Sequence, residues 1–233
     1  MFRQLFDPTS STFTYLLACD RTREAVLIDP VLEQRGRDLA LLAELGLRLR
    51  WLLDTHVHAD HVTAVSALKA ALPDGPSITT AVGLACEAEG YEWALSHGEH
   101  LSFGDEHLDV IATPGHTPGS MSFLWRDKLF TGDALLIGGC GRTDFQGGDA
   151  GQLYDAITQR LFTLAGETLV YPGHDYKGRR VSCIAEEREG NPRLAGKSRD
   201  EFIALMAGLN LPRPKLIDIA VPANKQAGLL QQG

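Results

Sequence analysis

Thr55-His56-Val57-His58-Ala59-Asp60-His61 packs three imidazoles and one carboxylate into six residues. The run just before it, Leu49 to Leu53, is short and apolar and reads as a strand that ends at Asp54-Thr55-His56. Histidine is the commonest ligand for borderline transition metals, and carboxylates join it where a harder site is needed. The chain has eight histidines, and a merely polar loop gives no reason to gather three of them here. On an extended loop, His56 and His58 fall on alternate sides. Asp60 and His61 are expected to open the following helix, from about His61 to Leu72.

The same arrangement, a strand followed by a chemically useful side chain, recurs downstream. Thr113-Pro114-Gly115-His116-Thr117-Pro118-Gly119-Ser120 holds a histidine in a rigid turn that can aim a ligand. Phe130-Thr131-Gly132-Asp133 puts a carboxylate after a strand, where a helix N-cap is the competing explanation. Tyr171-Pro172-Gly173-His174-Asp175 repeats the pattern. His56, His116, Asp133 and His174 thus all sit at C-terminal ends of short strands, where α/β folds place their sites. His97, His100 and His107 lack this context, lie among Glu99, Asp105 and Glu106, and read as solvated.

Outward from these motifs, strand and helix signals alternate through most of the chain, which implies an α/β layered architecture. Thr12 to Cys19 and Ala25 to Asp29 read as paired strands, and 33 to 46 as a helix stopped by Gly46. Further strands are expected at 77–80, 107–113, 121–125, 128–132 and 168–171. Helices are expected at 150–164, near 178–188 and at 199–208. The 233 residues suit one domain, with a Pro-rich tail from about Leu211-Pro212-Arg213-Pro214 wrapping the surface. A chain of this length buries a core without structural metals, so a bound metal is free to be catalytic.

A formal net charge of −8 argues against nucleic acid as a partner. No apolar run is long enough to span a membrane. The cysteines, Cys19, Cys86, Cys140 and Cys183, are too widely spaced for a zinc finger or a disulfide framework. Reduced thiols and a cytoplasmic location follow as the expectation, although a processed organelle-matrix protein would look the same.

The string His-x-His-x-Asp-His, then Gly-His, Gly-Asp and Gly-His, resembles the metallo-β-lactamase superfamily along nearly the whole chain. That resemblance implies an αββα sandwich with metal at one edge of the two sheets. It puts His56, His58, His116 and Asp133 around one metal position. Asp60, His61 and His174 surround a second, with Asp133 as a bridge.

Four further stretches are similar to the persulfide dioxygenase branch: Gly139-Cys140-Gly141-Arg142-Thr143-Asp144-Phe145-Gln146, Tyr171 to Tyr176, Glu186 to Leu194, and Pro214 to Asn224. Val57 stands at a variable position of the branch, and Gly173 replaces a residue that is often Ala. Within this branch the resemblance implies one Fe(II) held by His56, His116 and Asp133. His58, Asp60, His61 and His174 would then orient the ligands through hydrogen bonds. The implied reaction is oxidation of glutathione persulfide by molecular oxygen to sulfite and glutathione. Arg142 is the leading candidate for a glutathione carboxylate, with a salt bridge to Asp144 as its other reading. Tyr176, Arg213 and Lys215 are further substrate-binding candidates. Cys140 reads as a packing residue or a redox-sensitive thiol, not a nucleophile. A homodimer is also implied. The alternative is a two-zinc glutathione thioester hydrolase similar to glyoxalase II, which shares the first motif.

Overall fold

The segment Thr12–Ala18 (TFTYLLA) is buried at every position, which no strand with a wet face tolerates. Phe13, Tyr15 and Leu17 enter one apolar cluster, and Leu16 and Ala18 enter another. Successive side chains of a strand point to opposite faces, so this strand is covered on both sides. The computed structural model, which describes residues 1–230, shows what covers it.

The first sheet runs in chain order: β1 (Phe2–Asp7), β2 (Thr12–Ala18), β3 (Glu24–Ile28), β4 (Arg48–Leu53), β5 (Thr79–Gly83) and β6 (Trp93–Leu95). The first three strands are antiparallel, and β3 to β6 are parallel. The second sheet contains β7 (His100–Phe103), β8 (Glu106–Ala112), β9 (Met121–Trp125) and β10 (Lys128–Gly132). A small ribbon, β11 (Leu135–Leu136) and β12 (Gly139–Cys140), follows β10. The second sheet is completed by β13 (Leu169–Pro172), parallel to β10, and β14 (Ser182–Cys183).

Phe13, Tyr15, Val26, Ile28 and Leu53 of the first sheet meet Phe103, Val110, Phe123 and Phe130 of the second in one cluster. On the outer face of the first sheet, Leu16, Leu27 and Leu52 pack with Leu42 of α1 (Arg35–Glu44) and with Val65 and Leu68 of α2 (Val65–Ala71). On the outer face of the second, Leu129 and Val170 pack against α3 (Ala150–Ala156), α4 (Ile184–Gly190) and α5 (Arg199–Ala207). The αββα sandwich follows, as expected from the sequence.

Several boundaries differ from expectation. The helix expected from His61 begins at Val65. Ala64 N donates to Pro30 O, Thr63 N donates to Asn224 Oδ1, and Val62 O accepts from Leu32 N. The backbone of residues 62–64 is therefore committed to other partners, and Asp60 and His61 stay on the loop. The strand expected at 77–80 is displaced to Thr79–Gly83, after a short 3-10 turn, Gly75–Ser77. The helix expected at 150–164 leaves α geometry after Ala156 for one π turn, Ile157–Leu161. The helix expected near 178–188 is β14 followed by α4. A sixth helix, α6 (Ile217–Lys225), was not expected, because Pro222 lies inside it. No helix among the described residues is long and apolar enough to cross a membrane.

Candidate metal centre

Both sheets contribute to one end of the sandwich. His56, His58, Asp60 and His61 follow β4 of the first sheet; His116, Asp133 and His174 follow β8, β10 and β13 of the second. Main-chain pairing joins the halves, since Thr12 forms an antiparallel bridge with His174 and Met121 N donates to Thr55 O.

His56, His116 and Asp133 bring one donor atom each within 4.8 Å of one another. What surrounds them decides which atoms face inward. His56 Nδ1 lies 2.9 Å from Thr55 Oγ1, whose hydroxyl donates to Asp29 Oδ2 at 2.9 Å. The ring must therefore donate from Nδ1, and Nε2 is left as the lone-pair atom. His116 Nδ1 donates to Arg142 O at 2.7 Å, which again leaves Nε2. Asp133 Oδ1 accepts from His174 Nδ1 at 2.6 Å, and Oδ2 stands 3.7 Å from His116 Nε2. Two imidazole nitrogens and one carboxylate oxygen converge, each fixed from behind by a hydrogen bond. This donor set fits a divalent transition metal and matches the two-histidine, one-carboxylate arrangement that suits Fe(II). Burial and the neighbouring His58 and His116 push His56 well below the usual imidazole range, so its lone pair is available at neutral pH. Burial works to raise Asp133, but the charge and hydrogen bond of His174 hold it well below the usual carboxylate range.

The other four motif residues have different work. His58 turns its Nε2 to Asp29 Oδ1 at 3.1 Å, with Asp54 Oδ1 at 3.9 Å. Burial opposes a charge on this ring, but Asp29 and Asp54 outweigh it and raise His58 to about 9. The two histidines of His-x-His therefore differ in surroundings, one among other imidazoles and one facing two carboxylates. His58 does not join His56 and His116 as the two-metal partition requires; it groups instead with Asp60 and His61, whose donors also lie within 4.8 Å of one another. In that group, His58 Nδ1 and His61 Nε2 are buried and make no hydrogen bond with the protein. His174 is held from both sides, by Asp133 at Nδ1 and by Asp60 Oδ2 at Nε2, 2.9 Å away. Burial disfavours its charge, yet these two carboxylates raise it well above the usual imidazole range.

The centre opens into a cleft of about 530 Å³. Leu136, Phe145 and Pro212 supply apolar wall, and Arg142, Lys177, Arg193, Arg213 and Lys215 bring positive charge to it. Arg142 makes the salt bridge to Asp144 that was its other reading. Its Nε and Nη2 bind both oxygens of Asp144, at 2.7 and 2.8 Å. Nη1 donates to Pro212 O at 2.6 Å, and the guanidinium covers the Phe145 ring. It braces the Leu211–Pro212 segment as a cleft wall and is not a free carboxylate binder. Arg213 is likewise paired, with Asp218 at 2.5 Å. Lys215 lines the cleft with no ion-pair partner among the described residues, and so do Lys177 and Arg193, which the sequence reading did not select. Arg193 follows Asn191-Pro192, inside one of the quoted stretches, so its signal was present.

Tyr176 stands at the rim, its ring parallel to that of His174 at 5.9 Å. Cys140 borders the cleft but is buried, with its Sγ 3.8 Å from Met206 Sδ and 3.8 Å from Arg193 Nη1. Burial raises this thiol, consistent with a packing role. All four cysteines are unpaired. His97, His100 and His107 lie outside the centre and are exposed, as expected.

Two residues that orient the loop carried no obvious signal. Asp29, held at φ 52° in the left-handed region, accepts from Thr55 N, Thr55 Oγ1 and His58 Nε2. Asn224 of α6 donates to His58 O and His61 O, at 2.9 and 2.8 Å.

Comparison with known proteins agrees with this geometry. The metallo-β-lactamase superfamily model matches residues 7–174. The human mitochondrial persulfide dioxygenase ETHE1 is 49% identical over 98% of this chain and 89% of its own length. The crystal structure of ETHE1 from Myxococcus xanthus is 57% identical, with a TM-score of 0.94 over 98% of this chain and all of that one. A di-iron-bound structure of TTHA1623 is 28% identical, with a TM-score of 0.67 over 82% of this chain and all of that one. With its sandwich, its converging donors and these relatives, the chain belongs to the metallo-β-lactamase superfamily, in its persulfide dioxygenase branch.

Proposed function

We propose that this chain is a persulfide dioxygenase that oxidises glutathione persulfide at one Fe(II) held by His56, His116 and Asp133. The supporting observation is the convergence of His56 Nε2, His116 Nε2 and Asp133 Oδ2, while His58 turns to Asp29 and His174 is tied to Asp133 and Asp60. Relatives at 49% identity carry the name persulfide dioxygenase. In the balanced reaction, one persulfide, one oxygen molecule and one water give one thiol, one sulfite and two protons. The sulfane sulfur is oxidised and oxygen is reduced.

Bound Fe(II) at such a triad supplies oxygen activation beside a thiolate-like sulfur. Thr55 and the Arg142 carbonyl orient the two imidazoles. His174 donates to Asp133 and leaves one carboxylate oxygen for the metal. Lys177, Arg193 and Lys215 face a substrate that carries two carboxylates, on a chain whose net charge is −8. Leu136, Phe145 and Pro212 keep bulk water from the sulfur end and hold the reactants together.

The deciding experiment combines elemental analysis of protein purified without added metal with oxygen uptake on adding glutathione persulfide. About one iron per chain with persulfide-dependent uptake is expected. A two-zinc thioester hydrolase is the second reading, favoured by the buried His58 Nδ1 and His61 Nε2, which make no hydrogen bond with the protein. Two zinc ions per chain, thioester cleavage and no oxygen uptake would establish it instead.

A further inference from the structure

The β7–β8 hairpin carries a second set of potential metal ligands that has no part in the cleft. In the antiparallel register His100 lies directly opposite Asp109, and His107 lies opposite Ser102. Residues two apart on a strand share a face. His100, His107 and Asp109 therefore project from one side. It is the side opposite Leu101, Phe103, Leu108 and Val110, which fill the core between the sheets. The side chains of His100 and His107 are exposed, at 67% and 61%, and that of Asp109 is half-buried, at 37%.

We propose that His100, His107 and Asp109 form a surface site for a divalent transition-metal ion of the zinc, nickel and copper class. One donor atom from each residue already lies within 4.8 Å of the others. Asp109 Oδ1 is 2.6 Å from His100 Nδ1 and 3.6 Å from His107 Nε2. Donors bound to one ion at 2.0–2.2 Å stand roughly 3.0–3.4 Å apart, so the observed spacings bracket the required ones. The two rings are nearly perpendicular, at 86° with centroids 5.8 Å apart, so the side chains reach one point from different directions. His100 and His107 are exposed, so their side chains have room to adjust toward one ion. Two imidazoles and one carboxylate select borderline ions over magnesium or calcium, and stability rises from iron through nickel to copper. Two of its ligands come from β8 and one from the edge strand β7, so a bound ion ties that edge to its neighbour.

The test is a calorimetric zinc titration of the protein as isolated, with its resident metal retained and metal release measured alongside. The expected result is one further zinc ion bound by the unmodified chain without loss of resident metal. The double variant His100→Ala/His107→Ala should lose that event, and Asp109→Asn should bind about tenfold more weakly. Both should keep oxygen uptake unchanged, since none of the three residues lines the cleft. Equal zinc binding by the unmodified chain and both variants, or no binding beyond displacement of resident metal, would overturn the proposal. Asp109→Asn leaves both rings in place, so it gives a reading even if the double variant folds poorly.

Discussion

At the scale of single residues, a histidine or aspartate carries its ligand chemistry in its own side chain, whereas other residues act through what they touch. Thr55 and Asp29 matter only through what they touch. Thr55 Oγ1 bridges Asp29 and His56 Nδ1 and so sets the tautomer that exposes Nε2. Replacing Thr55 with Val removes that acceptor. Metal affinity should fall about 10–100-fold, read by competition with a chelator, and Thr55→Ser should restore it. Legible in the sequence was the ligand chemistry of His56, His116 and Asp133, which the resemblance grouped; for Arg142 the sequence left two readings open, and here its guanidinium is paired with Asp144. Gly141 illustrates a constraint of space. A Cβ there would lie 2.2 Å from the Asp133 carbonyl oxygen and 2.8 Å from His116 Nδ1. The backbone that sets two ligands would have to shift. Gly141→Ala is expected to fold, by circular dichroism, but to be purified without its metal and without oxygen uptake. Full metal content in that variant would show that the ligands tolerate the displacement.

At the level of elements, periodicity gave the strands and helices whose pattern is local, and missed those set by distant partners. The helix after the histidine loop starts four residues late because Asn224, far away in the chain, holds the preceding backbone. That asparagine belongs to α6, the helix hidden by Pro222. It is fully buried, accepts from Thr63 N and donates to His58 O and His61 O, so its amide has no unused capacity on the loop side. Asn224→Ala leaves one buried amide hydrogen and two buried carbonyls without partners, and each costs about 1–3 kcal/mol. The expected result is a lower thermal midpoint and weaker metal retention together. If the midpoint falls while metal retention is unchanged, α6 contributes stability but does not set the loop. Asn224→Asp keeps the acceptor for Thr63 N but loses both donors and buries a carboxylate, so it should retain metal no better than Asn224→Ala.

At the level of the whole molecule, an α/β layered architecture was readable from the alternation of strand and helix signals, and the αββα sandwich was implied by the resemblance; in the structure Thr12–Ala18 is covered on both faces. Which loops meet at one end was not readable from periodicity, since that depends on how two six-stranded sheets are stacked. The stacking has a thermodynamic consequence. His56 hangs from the first sheet, and His116 and Asp133 hang from the second, so an ion held by all three cross-links the two layers. The unfolded chain does not bring these donors together, and binding therefore stabilises the folded state by mass action. At a free metal concentration 100 times Kd the gain is about 2.7 kcal/mol. For a chain of this size, 1 kcal/mol moves the midpoint by roughly 2–4 °C, so an upward shift of roughly 5–11 °C is expected when Fe(II) is restored anaerobically to chelator-treated protein. Asp133→Asn removes the charged ligand from the second sheet and should abolish the shift. His100→Ala should leave it intact, because the surface hairpin is not part of this link. A midpoint that ignores Fe(II) in the unmodified chain would mean that the three donors do not bind one ion across the sheets, however well they are placed.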